Sequence, residues 1–374
     1  MDCIQNKMVQ IHLENDEIQK VEYLSEEPNG SIYVGPGLVD LQINGFGGVD
    51  FNQFPIEEKG FLKVIDSLAK SGVTSFFPTV ITNSDPTIIS LLSNINRLCE
   101  TNELINGFVK GIHLEGPFIS PKEGAKGAHD AQYIKAPDWD LFLTFQKASG
   151  NRIKIITISP EWKNASDFIK KCVEANIIVA IGHTIATPIQ IQEAVDAGAS
   201  LSTHLGNGAP LSLPRNSNFI FEQLASENLY ASIIADGFHL PDSFLKIILK
   251  VKQEKAILVS DSTQFAGMTS GTYETHIGGK VVLDNNRLAT FDNPKILAGS
   301  AVSILDCINK LLYSNLCDLK MAWSLGSIHP NNLIDSIGKK NKENSENDLV
   351  IYELESTKIK ILQTFKNGKK NKHV

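Results

Sequence analysis

Five short stretches of this 374-residue sequence place ionisable side chains directly behind apolar runs. They are His113-Leu114-Glu115-Gly116-Pro117, Gly182-His183-Thr184, Thr203-His204-Leu205-Gly206-Asn207-Gly208, Asp236-Gly237-Phe238-His239 and Val259-Ser260-Asp261. Singly, each has an ordinary explanation. A histidine after a strand is usually a hydrogen-bonded structural residue, and an aspartate there is usually a helix cap. Glu115 resists that treatment, because a carboxylate wedged between an apolar run and Gly-Pro is costly to bury unpaired. Two imidazoles and one carboxylate, with a fourth position open, form the donor set of a catalytic zinc site. Glu115, His183 and His204 supply that set, and Asp261 is then free to act as an acid/base. The set assembles only if the ends of several strands meet.

The elements that must position these residues are legible as an alternation. Eight β-rich runs stand out, at Leu38–Ile43, Thr74–Ile81, Val109–Leu114, Ile153–Ile158, Ile177–Ile181, Leu201–Thr203, Ala231–Ala235 and Ala256–Val259. Between them, Glu57–Ser71, Pro86–Leu98, Trp162–Ala175, Thr187–Ala197 and Asp242–Lys252 show helical apolar spacing. Asp85 and Thr187 are placed as amino-terminal caps, each followed by a proline at the first helical position. Apolar strands alternating with helices indicate a parallel sheet buried on both faces. Eight repeats of this kind predict an α/β fold, the (β/α)8 TIM barrel, whose chemistry sits at the carboxyl-terminal ends of the strands. A doubly wound open sheet is the competing architecture, but no Gly-x-Gly-x-x-Gly turn follows the first strand.

Short half-apolar ribbons at both ends, Met8–Leu13 and Ile18–Tyr23, then Leu349–Tyr352, Lys358–Leu362 and Phe365–Lys369, cannot bury a core separately. They predict a small β-sandwich domain built from both termini, residues 1–35 with 338–374, flanking a barrel over 36–337. Gly338 to Asp348 reads as a solvated polar loop. The 35 Lys+Arg against 42 Asp+Glu give a net charge of −7, which argues against nucleic acid as a partner. No apolar run reaches the ~18 residues of a membrane span, and Met1–Lys20 has no signal-peptide core. Five cysteines without a Cys-x-x-Cys pair fit a reducing, cytoplasmic setting.

Pro36-Gly37-Leu38-Val39-Asp40-Leu41-Gln42-Ile43-Asn44-Gly45 resembles the first barrel strand of the N-acetylglucosamine-6-phosphate deacetylase family, in the amidohydrolase superfamily. The five strand-end stretches above occur in that family's order and at its approximate spacing, so the resemblance runs from Pro36 to about Pro330. It implies hydrolysis of the acetamide of N-acetylglucosamine 6-phosphate, in amino-sugar catabolism or cell-wall recycling. By the same resemblance, Glu115, His183 and His204 are metal ligands, Asp261 is the catalytic aspartate and His239 contacts substrate. Gly127-Ala128-His129, Asn207-Gly208 and Arg215 match segments that hold sugar and phosphate, and Leu297-Ala298-Gly299-Ser300 matches a loop closing over substrate. The implied cofactor is one divalent metal ion, zinc first, with iron, cobalt or manganese as alternatives. The implied assembly is a homodimer or higher homo-oligomer with Arg215 near the interface.

The sequence also departs from the family. Gln42 and Asn44 stand where many amidohydrolases carry a His-x-His pair that ligates a second metal, which favours a single tight ion. Asn207-Gly208-Ala209-Pro210 replaces the usual Asn-Ala-Met, and Ser260 and Ser262 flank the aspartate where Thr and Ala are common. A cyclic-imide hydrolase or nucleobase deaminase would share the ligands without needing Arg215. A catalytically silent binding barrel is the reading from another class.

Overall fold

A computed structural model describes residues 1–26, 30–276, 279–293, 296–336 and 347–371. Eight strands form one parallel sheet in chain order, Leu38–Ile43, Val73–Ile81, Ile112–Glu115, Ile153–Ile158, Ile178–Ile181, Leu201–Ser202, Tyr230–Ile233 and Ala256–Leu258. The first strand meets the segment that follows the last one through a parallel bridge between Ile43 and Ser262, and Asn44 N–H donates to Ser262 O at 2.8 Å. That seam closes the barrel. Val39, Leu41, Phe77, Ile155, Ile178, Ala180 and Ile257 belong to one buried cluster contributed by strands all around the sheet. A larger cluster, including Leu68, Leu92, Phe142, Ile169 and Ile248, buries the inner faces of the surrounding helices.

Local chemistry explains most boundaries. Thr187 caps the helix Pro188–Asp196 with a reciprocal capping box to Gln190, as its type and position suggest. The helix Asp85–Thr101 is capped one residue earlier than expected. Ser84, not Asp85, is extended and accepts the Thr87 N–H, while the Asp85 carboxylate pairs with Lys135 at 2.6 Å. Pro86 therefore takes the second helical position, where its missing N–H is still harmless. The third strand starts at Ile112 rather than Val109, because Asn102 caps a short helix, Glu103–Phe108, that ends on Val109. Trp162 lies outside its expected helix, which begins at Ala165, and its indole N–H reaches Ile119 O instead.

Both termini contribute to one six-stranded antiparallel sheet, in the order Val9–Glu14, Glu17–Tyr23, Lys369–Lys370, Lys358–Lys366, Leu349–Glu355 and Ile32–Pro36. It docks where the barrel strands begin. Trp323 stacks on Tyr352 at 4.3 Å between ring centroids and donates to Pro36 O, and Thr364 Oγ1 donates to Ala69 O. Of the polar stretch Gly338–Asp348, residues 338–346 lie outside the described residues, and Asp348 is not solvated. It is buried against Lys366 at 2.7 Å, because the sheet would otherwise strand that ammonium inside the protein. A three-stranded meander, Gly271–Thr275, Gly279–Asp284 and Arg287–Thr290, follows the last barrel strand and was not legible as strands in the sequence. Among the described residues no helix is long and apolar enough to cross a membrane.

Candidate active site

The barrel closure brings Glu115, His183 and His204 together, with one ligand atom from each inside a 4.8 Å group. Glu115 Oε1 stands 3.2 Å from His183 Nε2 and 3.0 Å from His204 Nε2, and the two nitrogens are 3.1 Å apart. All three side chains are buried. His183 Nδ1 donates to Ala125 O at 2.8 Å, which leaves Nε2 as the lone-pair nitrogen of the neutral ring. A single proton on His204 Nε2 can serve only one of the two lone pairs that face it. Donor atoms about 3.3 Å apart are what tetrahedral bonds of ~2.0–2.1 Å produce. The residues present therefore fit a divalent metal ion.

Strand ends position these groups under strain. His183 (φ +48°), His204 (φ +28°) and Asp261 (φ +48°) all take left-handed backbone. This conformation costs a non-glycine residue about 1–2 kcal/mol and gathers at functional sites. The turns aim each side chain across the mouth of the barrel instead of along its wall. Asp261 is half-buried at the cavity, and Asn44 Nδ2 donates to its Oδ1 at 2.8 Å. Burial and the Glu115 charge push the Asp261 carboxyl up to about 6, against the opposing pull of His204, His239 and Asn44. For Glu115, burial works against the carboxylate, but the His183 and His204 contacts hold it well below the usual range.

A cavity of about 450 Å³ opens above this group, lined by Glu115, His183, His204, Asp261 and His239 and by Ala128, His129, Asn207, Gly208, Leu297 and Gly299. His239 Nδ1 donates to Asp236 Oδ2 at 2.7 Å, which fixes the ring. His129 packs edge-on against His183, 4.5 Å between centroids, and its Nδ1 meets Thr82 Oγ1 at 2.8 Å. Burial pulls the His129 imidazole down to about 3, so it is neutral. Two expected substrate residues lie elsewhere. Ala298 packs against the cluster around Phe265 and Val281, and Arg215 is exposed and does not line the cavity.

The cavity also has a wall that the sequence reasoning passed over, made of Asp50, Asn52, Ile81, Thr263, Gln264, Phe265 and Thr275. Thr263 to Phe265 directly follow Asp261, so the rule that loops after strands carry function pointed at them. Asp50 ends a small hairpin beyond the first strand and Asn52 follows it, neither within a motif, and only the fold reveals them. Directly beneath Glu115, His113 is structural. Its Nδ1 donates to Leu41 O and its Nε2 meets Thr157 Oγ1, and burial lowers it to about 4.

The model of the amidohydrolase family matches residues 33–270, more than half of the chain. The chain belongs to the amidohydrolase family. Among curated amidohydrolase relatives, the N-acetylglucosamine-6-phosphate deacetylase of Bacillus subtilis (strain 168) is 34% identical over 273 residues, covering 72% of this chain and 67% of the relative. The crystal structure of N-acetylglucosamine-6-phosphate deacetylase from Pasteurella multocida superposes with a TM-score of 0.82 at 26% identity, covering 97% of this chain and 94% of that one. A Mycobacterium smegmatis deacetylase of the same name, solved in complex with N-acetyl-D-glucosamine 6-phosphate, shares the fold with a TM-score of 0.80 at 21% identity, covering 96% of this chain and 93% of that one.

Proposed function

We propose that this amidohydrolase hydrolyses the acetamide of N-acetylglucosamine 6-phosphate to glucosamine 6-phosphate and acetate. The observation that carries the reading is the meeting of Glu115, His183 and His204 beside Asp261 in a cavity of sugar size, in a chain whose curated relatives carry that activity. Glu115, His183 and His204 would hold one divalent ion, zinc by its preference for this donor set. When bound, such an ion acts as a Lewis acid and lowers the pKa of water to about 7. Asp261 takes a proton from the attacking water as its oxygen adds to the acetyl carbon. It returns that proton to the sugar nitrogen as the C–N bond breaks, so the amine and acetic acid leave, and the acid gives up its proton to water as acetate. His239, its ring oriented by the Asp236 carboxylate at Nδ1, stabilises the acetyl oxygen while negative charge builds there.

The sugar phosphate is held away from the reacting carbon. His129 and the Asn207-Gly208 turn line that side of the cavity, with Ala128 beside them. Arg215, exposed in one chain, completes the phosphate site of a second copy in a homodimer by charge-assisted hydrogen bonds. Leu297 and Gly299 close over the sugar, and Ala298 between them anchors that loop on the cluster around Phe265. On this reading residues 36–337 carry the chemistry, and the terminal unit assigned to 1–35 with 338–374 braces the opposite end of the barrel through its described strands. Five free cysteines suit a reducing cytoplasm. The test is a panel of acetylated amino sugars with and without a 6-phosphate, beside cyclic imides and nucleobases. Turnover confined to the phosphorylated acetamides is expected, and preference for an imide or a nucleobase overturns the proposal.

A further inference from the structure

The first barrel strand carries two amides where imidazoles could have stood, and both reach a carboxylate of the site. Gln42 Nε2 donates to Glu115 Oε1 at 2.9 Å, and Asn44 Nδ2 donates to Asp261 Oδ1 at 2.8 Å. We infer that these are positioning residues with separate roles. Gln42 sets the pose in which Glu115 meets His183 and His204, and Asn44 holds one oxygen of Asp261 so that the other stays free for proton transfer.

Three features separate this from simple space-filling. First, each amide presents hydrogens, not lone pairs, to the carboxylate, so neither acts as a cation ligand in this pose. Second, Asn44 Oδ1 is buried without a hydrogen-bond partner among the described residues. Turning the amide over would point that oxygen at the Asp261 oxygen, acceptor against acceptor, so the Asp261 contact decides its orientation. Third, the mounting is rigid. The pairing of the first two strands shifts register between Asp40 and Ile43, a bulge that re-aims the strand end. Asp40 pins the bulge, accepting the Gln42 N–H at 3.3 Å and the Ser260 N–H at 3.2 Å. Asn44 and Asp261 are thus carried on the two sides of one locked seam, tied by the Asn44 N–H to Ser262 O. A donor that holds a ligating carboxylate in this way fixes its pose and tunes its affinity for the metal.

The Asn44 role rests on the proposed deacetylase reading, whereas the Gln42 role needs only the metal. The experiment uses the full chain loaded with zinc and compares Gln42→Met and Asn44→Leu with the parent. Both replacements keep the chain length and branching and remove the donor. Zinc affinity is measured by competition with a chelator, and kcat and KM are measured on the phosphorylated sugar at saturating zinc. For Gln42→Met the expected result is zinc binding weakened about 10–100-fold. For Asn44→Leu it is unchanged zinc affinity and unchanged KM with kcat down about tenfold or more, because only the reacting geometry is lost. Gln42→Ala and Asn44→Ser repeat the measurement if a larger variant unfolds. Unaltered zinc affinity in both Gln42 variants overturns that role. Zinc lost together with activity, or an unaltered kcat, overturns the Asn44 role. If the parent chain hydrolyses none of the phosphorylated acetamides, the proposed function falls and the Asn44 role with it, while the Gln42 role is decided by zinc affinity alone.

Discussion

Replacing Asp261 by Asn should make the protein more stable while making it a poor catalyst. In the metal-free chain, burial and Glu115 raise the Asp261 carboxyl to about 6, against roughly 3.9 in an unfolded chain. Below about pH 4 both states hold the proton and the carboxyl group favours neither. Between about pH 4 and pH 6 the unfolded state ionises first, so stability is lost as pH rises, and above about pH 6 the loss is complete. Roughly two units at 1.36 kcal/mol each put that loss at no more than about 3 kcal/mol. Asparagine removes the charge, keeps an oxygen for Asn44 Nδ2, and tolerates the left-handed backbone that Asp261 adopts at φ +48°. With about 2.1 cal/mol/K of unfolding entropy per residue over 374 residues, 3 kcal/mol corresponds to a Tm about 4 °C higher. The assay is calorimetry of metal-free parent and Asp261→Asn at pH 4 and pH 8, with zinc content and kcat on the loaded proteins. The expected outcome is equal Tm near pH 4, a higher Tm for the variant at pH 8, undiminished zinc, and kcat down about 10²–10⁴-fold. A variant less stable at pH 8 would make Asp261 a structural cap, and loss of zinc with activity would make it a ligand. Near-parental kcat with full zinc removes it from the mechanism.

Three further expectations concern other parts of the chain. Elemental analysis should find close to one transition metal per chain, since Gln42 and Asn44 are engaged as donors, and two tight ions would contradict that arrangement. Arg215→Ala should raise KM for the phosphorylated sugar far more than for its unphosphorylated counterpart, because only the phosphate anchor is removed. Equal effects on both sugars would assign Arg215 to structure. At the other end of the barrel, Lys366→Met leaves Asp348 buried with only the Asn367 N–H, and should cost about 3–5 kcal/mol in denaturant melts. Adding Asp348→Asn should recover part of it, and a single variant as stable as the double would show that the buried pair is not coupled.

The barrel was legible because its signals are local. Leu38–Ile43 and Ile153–Ile158 are short, mostly apolar β-rich runs, and both form strands over those bounds. Thr187 with Pro188 and Gln190 specifies a helix start through contacts within four residues. Weaker signals were passed over. Asn102, Asn218 and Asp318 each cap a helix with a side-chain oxygen, yet the helices they start run only six or seven residues and offer little periodicity. The meander from Gly271 to Thr290 is held by packing of Val281, Leu283 and Leu288 against Phe265, a contact that no neighbouring residue foretells.

The candidate site divides along the same line. Glu115, His183, His204 and Asp261 are conspicuous in the sequence because polar groups behind apolar strands are expensive unless something repays their burial. Their types, and so the kind of chemistry open to them, were settled by the sequence alone. Their distances were not. Glu115 Oε1 meets nitrogens 68 and 89 residues away, and Asn44 meets Asp261 across 217 residues, at a seam that exists only once the eighth strand returns to the first. The sequence likewise could not say that Gln42 and Asn44 turn their hydrogens toward those carboxylates. Nor could it say that His183, His204 and Asp261 would be bent into left-handed backbone. Residue type and local pattern carry information over a few residues, whereas orientation and strain are fixed by which distant groups compete for the same enclosed space, and only barrel closure creates that space.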